Sequence, residues 1–178
     1  MPSLRRGNLG IGRIAVGLGL WFTVPVQRWA LVLAGLVLVA DQLTKWWIVT
    51  QVMAPPQVIA VTDFFNIVMV WNQGVTFGLL GTGGEVMRWV LVVVTFGVTS
   101  FLLAWLTRTD RAWPAVALGA IIGGAFGNLI DRLVYGKVAD FLDFYAFGWH
   151  WPAFNLADMA IVCGVAVIIV DAFIVRPE

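Results

Sequence analysis

Residues 152–173 read PAFNLADMAIVCGVAVIIVDAF, and the stretch from 159 to 170 carries no charge. Extended to about 20 residues, such an apolar run suits the hydrocarbon core of a bilayer. Asp158 stands at its mouth, three residues after Asn155. A carboxylate beside hydrocarbon is costly to keep, so its position asks for a reason. A local reason exists: Asn155 can act as an N-cap, and Asp158 can sit in the first helical turn near the positive end of the helix dipole. That accounts for one carboxylate, and the chain holds several more at the same depth.

Working outward, 61% of the 178 residues are hydrophobic and only 12% charged, with a mean hydropathy of +0.91. A soluble domain carries about 25% charged residues, so this composition describes an integral membrane protein. The formal net charge of +1 gives no reason to expect a nucleic-acid partner. Cys163 is the single cysteine and His150 the single histidine. A disulfide framework is therefore excluded, as are the usual zinc and iron sites, and neither a metal nor a cofactor is expected.

Four stretches are long and apolar enough to span: residues 29–49, 86–106, 114–134 and 155–175. The third opens on Pro114, which the first turn of a helix tolerates. Short loops join the spans, except for the long segment 50–85. Residues 64–77 within it alternate enough to suggest short strands. The expected fold is an all-α membrane protein of four transmembrane helices with a small extracytoplasmic β-rich platform.

Arg5, Arg6, Arg13 and Arg28 precede the first span, Arg108 and Arg111 lie between the second and third, and Arg176 follows the fourth. By the positive-inside rule both termini are then cytoplasmic. Trp29, Trp105 and Trp113 mark the inner boundary, and Trp46, Trp47, Trp89, Trp149 and Trp151 the outer one. Residues 1–28 read as a cytoplasmic tail, because Arg13 breaks the apolar part that an export signal would need.

The ionisable residues collect towards the outer side. Asp41 and Lys45 are four apart on the first span; Asn128, Asp131 and Arg132 end the third; Asp140 and Asp143 follow; Asn155 and Asp158 open the fourth; Asn72 lies in the long loop. Each has a plain reading. Asp41–Lys45 makes an i,i+4 pair, Asp131–Arg132 ends a helix and snorkels, Asp171 faces cytoplasmic water, and His150 is an interfacial side chain between tryptophans. None of these readings explains why so many acids share one depth. Gly119, Gly123 and Gly127 recur every four residues, a spacing that lets a neighbouring helix approach closely.

The chemistry left open is narrow. The two serines, Ser3 and Ser100, lie far in depth from the only histidine, and Cys163 has no base beside it. Two aspartates, however, can hydrolyse an amide by sharing one proton, the ionised one activating water and the protonated one donating to the carbonyl oxygen. Asp158 is one candidate. The pattern alone leaves Asp131, Asp140 and Asp143 open as its partner. A proton- or ion-coupled transport protein that uses the same carboxylates as a relay is a second reading, and a non-catalytic scaffold held by the glycine face is a third.

The motifs DQLTK (41–45), NQGVTF (72–77), GNLIDR (127–132), VADF (138–141) and FNLAD (154–158) occur in this order. Together they resemble lipoprotein signal peptidase, the bacterial signal peptidase II family of aspartic membrane proteases, over about residues 29–175. The resemblance implies a catalytic dyad of Asp140 and Asp158. It implies substrate binding by Asn72, Gly74, Asn128, Arg132 and Asn155, with Asp41, Lys45 and Asp131 as structural support. It further implies a bacterial inner-membrane enzyme, active near the outer surface, that cleaves diacylglyceryl-modified prolipoproteins just before the lipidated cysteine. Membrane lipid and cyclic peptide inhibitors of the globomycin type are the other implied partners. Thr76 stands where alanine or serine is commoner, and Asp143 adds a carboxylate close to the implied dyad.

Overall fold

A computed structural model of the chain describes residues 25–74 and 84–174. The tail up to residue 24, the end of the NQGVTF motif with Thr76 and Phe77, and Arg176 lie outside the described residues. Four helices are long and apolar enough to cross a membrane: α1 (Pro25–Trp47), α2 (Gly84–Leu106), α3 (Ala112–Val134) and α4 (Leu156–Ile174). Helix α1 takes in Pro25–Arg28, which the sequence reading assigned to the tail, because a proline in the first turn gives up only an N–H that has no helical partner. It is prolonged by a π-helical turn, Ile48–Val52.

Four strands follow the same chain order: β1 (Ile59–Thr62), β2 (Phe65–Asn72), β3 (Val138–Ala146) and β4 (Trp149–His150). They form one antiparallel sheet in the order β1-β2-β3-β4. Along β2 and β3, Asn66 lies opposite Asp143 and Ile67 opposite Leu142, but Val70 lies opposite Asp140 and Asn72 opposite Val138. One extra residue has entered β2 between these pairs, a β-bulge of the kind that re-aims side chains beside functional sites.

Helix α3 is the axis of the bundle and packs against the other three helices. Small residues make this possible. A Cβ at Gly119 would strike the carbonyl oxygen of Ala30, one at Gly123 that of Ala34, and one at Gly124 that of Ala157. The stripe read from the sequence therefore faces α1, while Gly124 and, on α4, Gly164 open the α3–α4 contact. Ala30, Leu102, Leu106, Leu118 and Ile122 fill the core at one end of the bundle. Ile48, Met53 and Phe141 fill a second core beneath the sheet. Large apolar side chains such as Leu36, Val93, Phe96, Val162 and Phe173 point outward. On a soluble protein they would be an aggregation hazard, and in a bilayer they face lipid.

The ends of the bundle differ chemically. Opposite the sheet, the Gln27 side chain donates to the carbonyls of Thr107 and Thr109 at 3.0 and 3.1 Å, tying the start of α1 to the α2–α3 turn. Arg111 meets Asp171 at 2.5 Å, so Asp171 is ion-paired rather than simply turned to water. Arg28, Arg108 and Arg111 all belong to this end by topology. Five of the acidic side chains, Asp41, Asp131, Asp140, Asp143 and Asp158, belong to the sheet end.

The glycine contacts predict a contrast. Gly119→Ala and Gly124→Ala, whose new methyl groups meet backbone, should cost about 1–3 kcal/mol. Gly97→Ala, which meets nothing within 4 Å, should gain about 0.5–1 kcal/mol as glycine leaves a helix interior. Thermal unfolding in detergent micelles measures both.

Candidate active site

Lys45 lies on the last turn of α1, one turn beyond Asp41. Both are almost fully buried. The Lys45 ammonium has three N–H groups and finds three acceptors: Asp41 Oδ2 at 2.7 Å, Asp131 Oδ2 at 2.9 Å and Asn128 Oδ1 at 3.0 Å. Burying two carboxylates around one cation leaves negative charge to be met by other donors. Asp41 Oδ1 accepts the Ala157 backbone N–H at 2.9 Å, and Asp131 Oδ2 accepts that of Ala139 at 3.2 Å. Gln42 donates to Asp131 Oδ1 at 3.0 Å and to the Gly127 carbonyl at 3.2 Å. The i,i+4 pair read from the sequence is thus real and is also part of a larger anchor. Gly127 is required here for a reason other than helix packing: a Cβ there would strike the Asp41 carboxylate.

Helix α4 begins beside this anchor. Asn155 Oδ1 accepts the Asp158 N–H at 3.0 Å, and the Asn155 N–H donates back to Asp158 Oδ2 at 3.3 Å. This reciprocal arrangement is a capping box with aspartate in the return position. The local reading of Asp158 is therefore correct as far as it goes. Its other oxygen, Oδ1, accepts from Asn128 Nδ2 at 2.7 Å.

Asp140 arrives from β3. It is buried, and both its oxygens accept from asparagines: Oδ1 from Asn155 Nδ2 at 2.7 Å and Oδ2 from Asn72 Nδ2 at 2.9 Å. Asn155 therefore touches both carboxylates, Asp140 through its side chain and Asp158 through its backbone. Burial pushes the Asp140 carboxyl up to about 6, with the Asn72 hydrogen bond opposing and the negative charge of Asp158 adding to the rise.

The remaining residues sort themselves around this centre. Asn72 Oδ1 accepts the Gly74 N–H at 2.7 Å, an Asx-type turn in which Gly74 takes φ +78°. Arg132 donates through Nη1 to the Asn128 carbonyl at 3.2 Å, and its charge is felt by Asp158, Asp131 and Asp140. Its other guanidinium N–H groups make no hydrogen bond among the described residues. Asp143, the added carboxylate, is not brought to this centre. It accepts from Asn66 at 2.9 Å and meets His150 Nδ1 at 2.9 and 3.0 Å. Burial alone would raise its pKa, but these hydrogen bonds and the His150 charge together hold it below the usual carboxylate range. His150 also stacks on Tyr145, so it is a paired side chain as well as an interfacial one. No cluster of three or more metal-ligating side chains occurs among the described residues.

Two contributors escaped the sequence reading. Gln42 sits inside a quoted motif, and its helical position beside Asp41 was the available signal. Arg88, on α2, donates to the carbonyls of Arg132 and Leu133, both at 2.7 Å. An arginine in an otherwise uncharged span was the signal there.

A family model described as signal peptidase (SPase) II matches residues 33–174. A lipoprotein signal peptidase of Aeromonas hydrophila subsp. hydrophila is 45% identical over 148 residues, covering 82% of this chain and 88% of the relative. One of Serratia marcescens is 45% identical over 132 residues, covering 74% and 77%. A solved bacterial membrane enzyme, determined by the in meso method at 1.9 Å resolution, superposes with a TM-score of 0.72 at 30% identity over 81% of this chain and 92% of its own.

The geometry predicts two outcomes. In infrared difference spectra, a protonated carboxyl band should vanish as pH rises through about 6 and should be missing in Asp140→Asn. Asp158→Asn removes a negative neighbour and should move that midpoint down. Separately, Lys45→Met strips the counter-charge from two buried carboxylates and should destabilise the protein by about 3–5 kcal/mol, read from thermal unfolding in detergent.

Proposed function

The chain belongs to the signal peptidase II family, and from that premise we propose that Asp140 and Asp158 are its catalytic dyad, cleaving the signal peptide from diacylglyceryl-modified prolipoproteins. The observation that carries this reading is Asn155, which binds both carboxylates at once and draws them from β3 and α4 to one point.

Amide hydrolysis by two carboxyl groups so placed needs one proton held between them. Asp140, more deeply buried and raised to about 6, is the natural holder of that proton. Asp158 then takes a proton from water as the water attacks the scissile carbonyl carbon, while Asp140 donates to the carbonyl oxygen. Collapse of the tetrahedral intermediate breaks the C–N bond; the proton gained by Asp158 leaves with the amine nitrogen, and one hydroxyl of the intermediate returns its proton to Asp140 as the new carboxyl group forms. Asn128 and Asn155 spend their side-chain amides on orienting the two acids. Arg132 keeps most of its donors for the substrate backbone, and Asn72 and Gly74 hold the loop beside it.

The wider setting follows from the same features. Arg28, Arg108 and Arg111 mark the end opposite the sheet as cytoplasmic, so both termini lie in the cytoplasm and the acids lie at the outer surface of the inner membrane. There the acyl chains of a lipid-modified cysteine fix the bond to be cut at the right depth, and cyclic peptides of the globomycin type would compete for the same place. A relay for ions lacks support. Helix α4 has no charged residue between Asp158 and Asp171, and α3 has none before Asp131.

Asp140→Asn and Asp158→Asn should each lower kcat for a lipidated precursor by about 10³-fold or more, with protein still folded in detergent. A chelator should leave the wild-type rate unchanged, and a precursor with an unmodified cysteine should be processed slowly. Normal cleavage by either variant would remove the dyad.

A further inference from the structure

The upper part of α2 buries little: its buried residues, Thr99, Leu102 and Leu106, all lie in the half away from the sheet. Near the sheet, two of its side chains one helical turn apart, Arg88 and Leu91, reach other parts of the protein. Arg88 reaches the C-terminal end of α3. There the last carbonyls of the helix have no helical partner and the dipole is negative. Its Nε donates to the Arg132 carbonyl and its Nη2 to the Leu133 carbonyl, both at 2.7 Å. The Arg132 carbonyl also receives the Gly136 N–H at 3.2 Å, and Gly136, at φ +73°, lies against the Arg88 side chain. Leu91 meets Gly74 so closely that a Cβ on Gly74 would strike its Cδ1.

These contacts converge on two residues assigned above to the substrate. We propose that Arg88 is a positioning residue: by fixing the α3 terminus from α2, it sets the direction of the Arg132 guanidinium, while Leu91 supports Gly74 from the same face of α2. This inference rests on the reading of Arg132 and Gly74 as substrate-binding residues. Arg88 touches neither Asp140 nor Asp158, so its effect falls on binding and leaves the proton chemistry alone. A bidentate guanidinium matters, because an ammonium in its place offers a point charge to one carbonyl at a time.

The test is steady-state cleavage of a lipidated precursor in detergent by wild type, Arg88→Met, Arg88→Lys and Asp140→Asn. Arg88→Met should raise KM about tenfold with kcat nearly unchanged, and Arg88→Lys should restore part of the loss. The infrared midpoint of Asp140 should stay where it is in wild type. A wild-type KM in Arg88→Met overturns the inference, as does a fall in kcat accompanied by a displaced Asp140 midpoint. If Arg88→Met does not fold, Arg88→Lys decides: a KM about threefold above wild type supports positioning, and a wild-type KM refutes it. Activity in Asp140→Asn would instead undo the dyad, an outcome separate from any result at Arg88.

Discussion

Lys45 places one positive charge between two buried carboxylates, and the sheet end of the bundle is arranged around the need to satisfy them. The ammonium alone is insufficient, since Asp41 and Asp131 together carry two negative charges. The balance comes from backbone N–H groups of Ala157 and Ala139. Each of these residues immediately precedes a member of the proposed dyad, Asp158 and Asp140. The anchor therefore grips the chain one residue before each acid. Helix α1 supplies the grip, α3 shares it, and the starts of α4 and the centre of β3 are what it holds. Removing a partner would leave charge buried without compensation, which is why such a network resists distortion.

Much of this was legible in the sequence. Long uncharged runs gave the four helices, and the three-spaced and four-spaced polar residues at their ends gave most of the side chains that gather at the sheet end. The glycine stripe announced close packing but could not name α1 as the partner, because periodicity records a face and not its neighbour. Gly127 belonged to that stripe by spacing, although its lack of a side chain serves the Asp41 carboxylate. Asp143 could not be separated from Asp140 by composition or proximity. Strand alternation and a bulge on the neighbouring strand decide that, and the bulge leaves no compositional mark. Arg88 was passed over because its partners are main-chain carbonyls forty-odd residues away in the chain, which no local pattern displays.

The site uses its polar groups in two distinct ways. Asn72, Asn128 and Asn155 are neutral, and their amides are occupied with aspartate oxygens. They fix geometry without adding charge, as the proposed pairing of Asp140 with Asp158 needs. Arg132 is charged, and among the described residues most of its donors are unspent beside the two acids. Neutral amides where the acids must keep their proton balance, and a cation set to one side, is the division that a shared-proton site requires.

The bulge in β2 carries a further consequence. Asn66 and Asn72 are six positions apart, an even step, and in a regular strand would look the same way. Asp143 and Asp140 are three apart, an odd step, and look opposite ways. The extra residue between Ile67 and Val70 changes the parity of β2, and only then can one strand supply an amide to each acid. The spacing between the two asparagines is therefore counted in odd and even numbers. Sequence drift can replace the residues between them, but losing or gaining a single one would turn Asn72 to the wrong side and leave Asp140 without it.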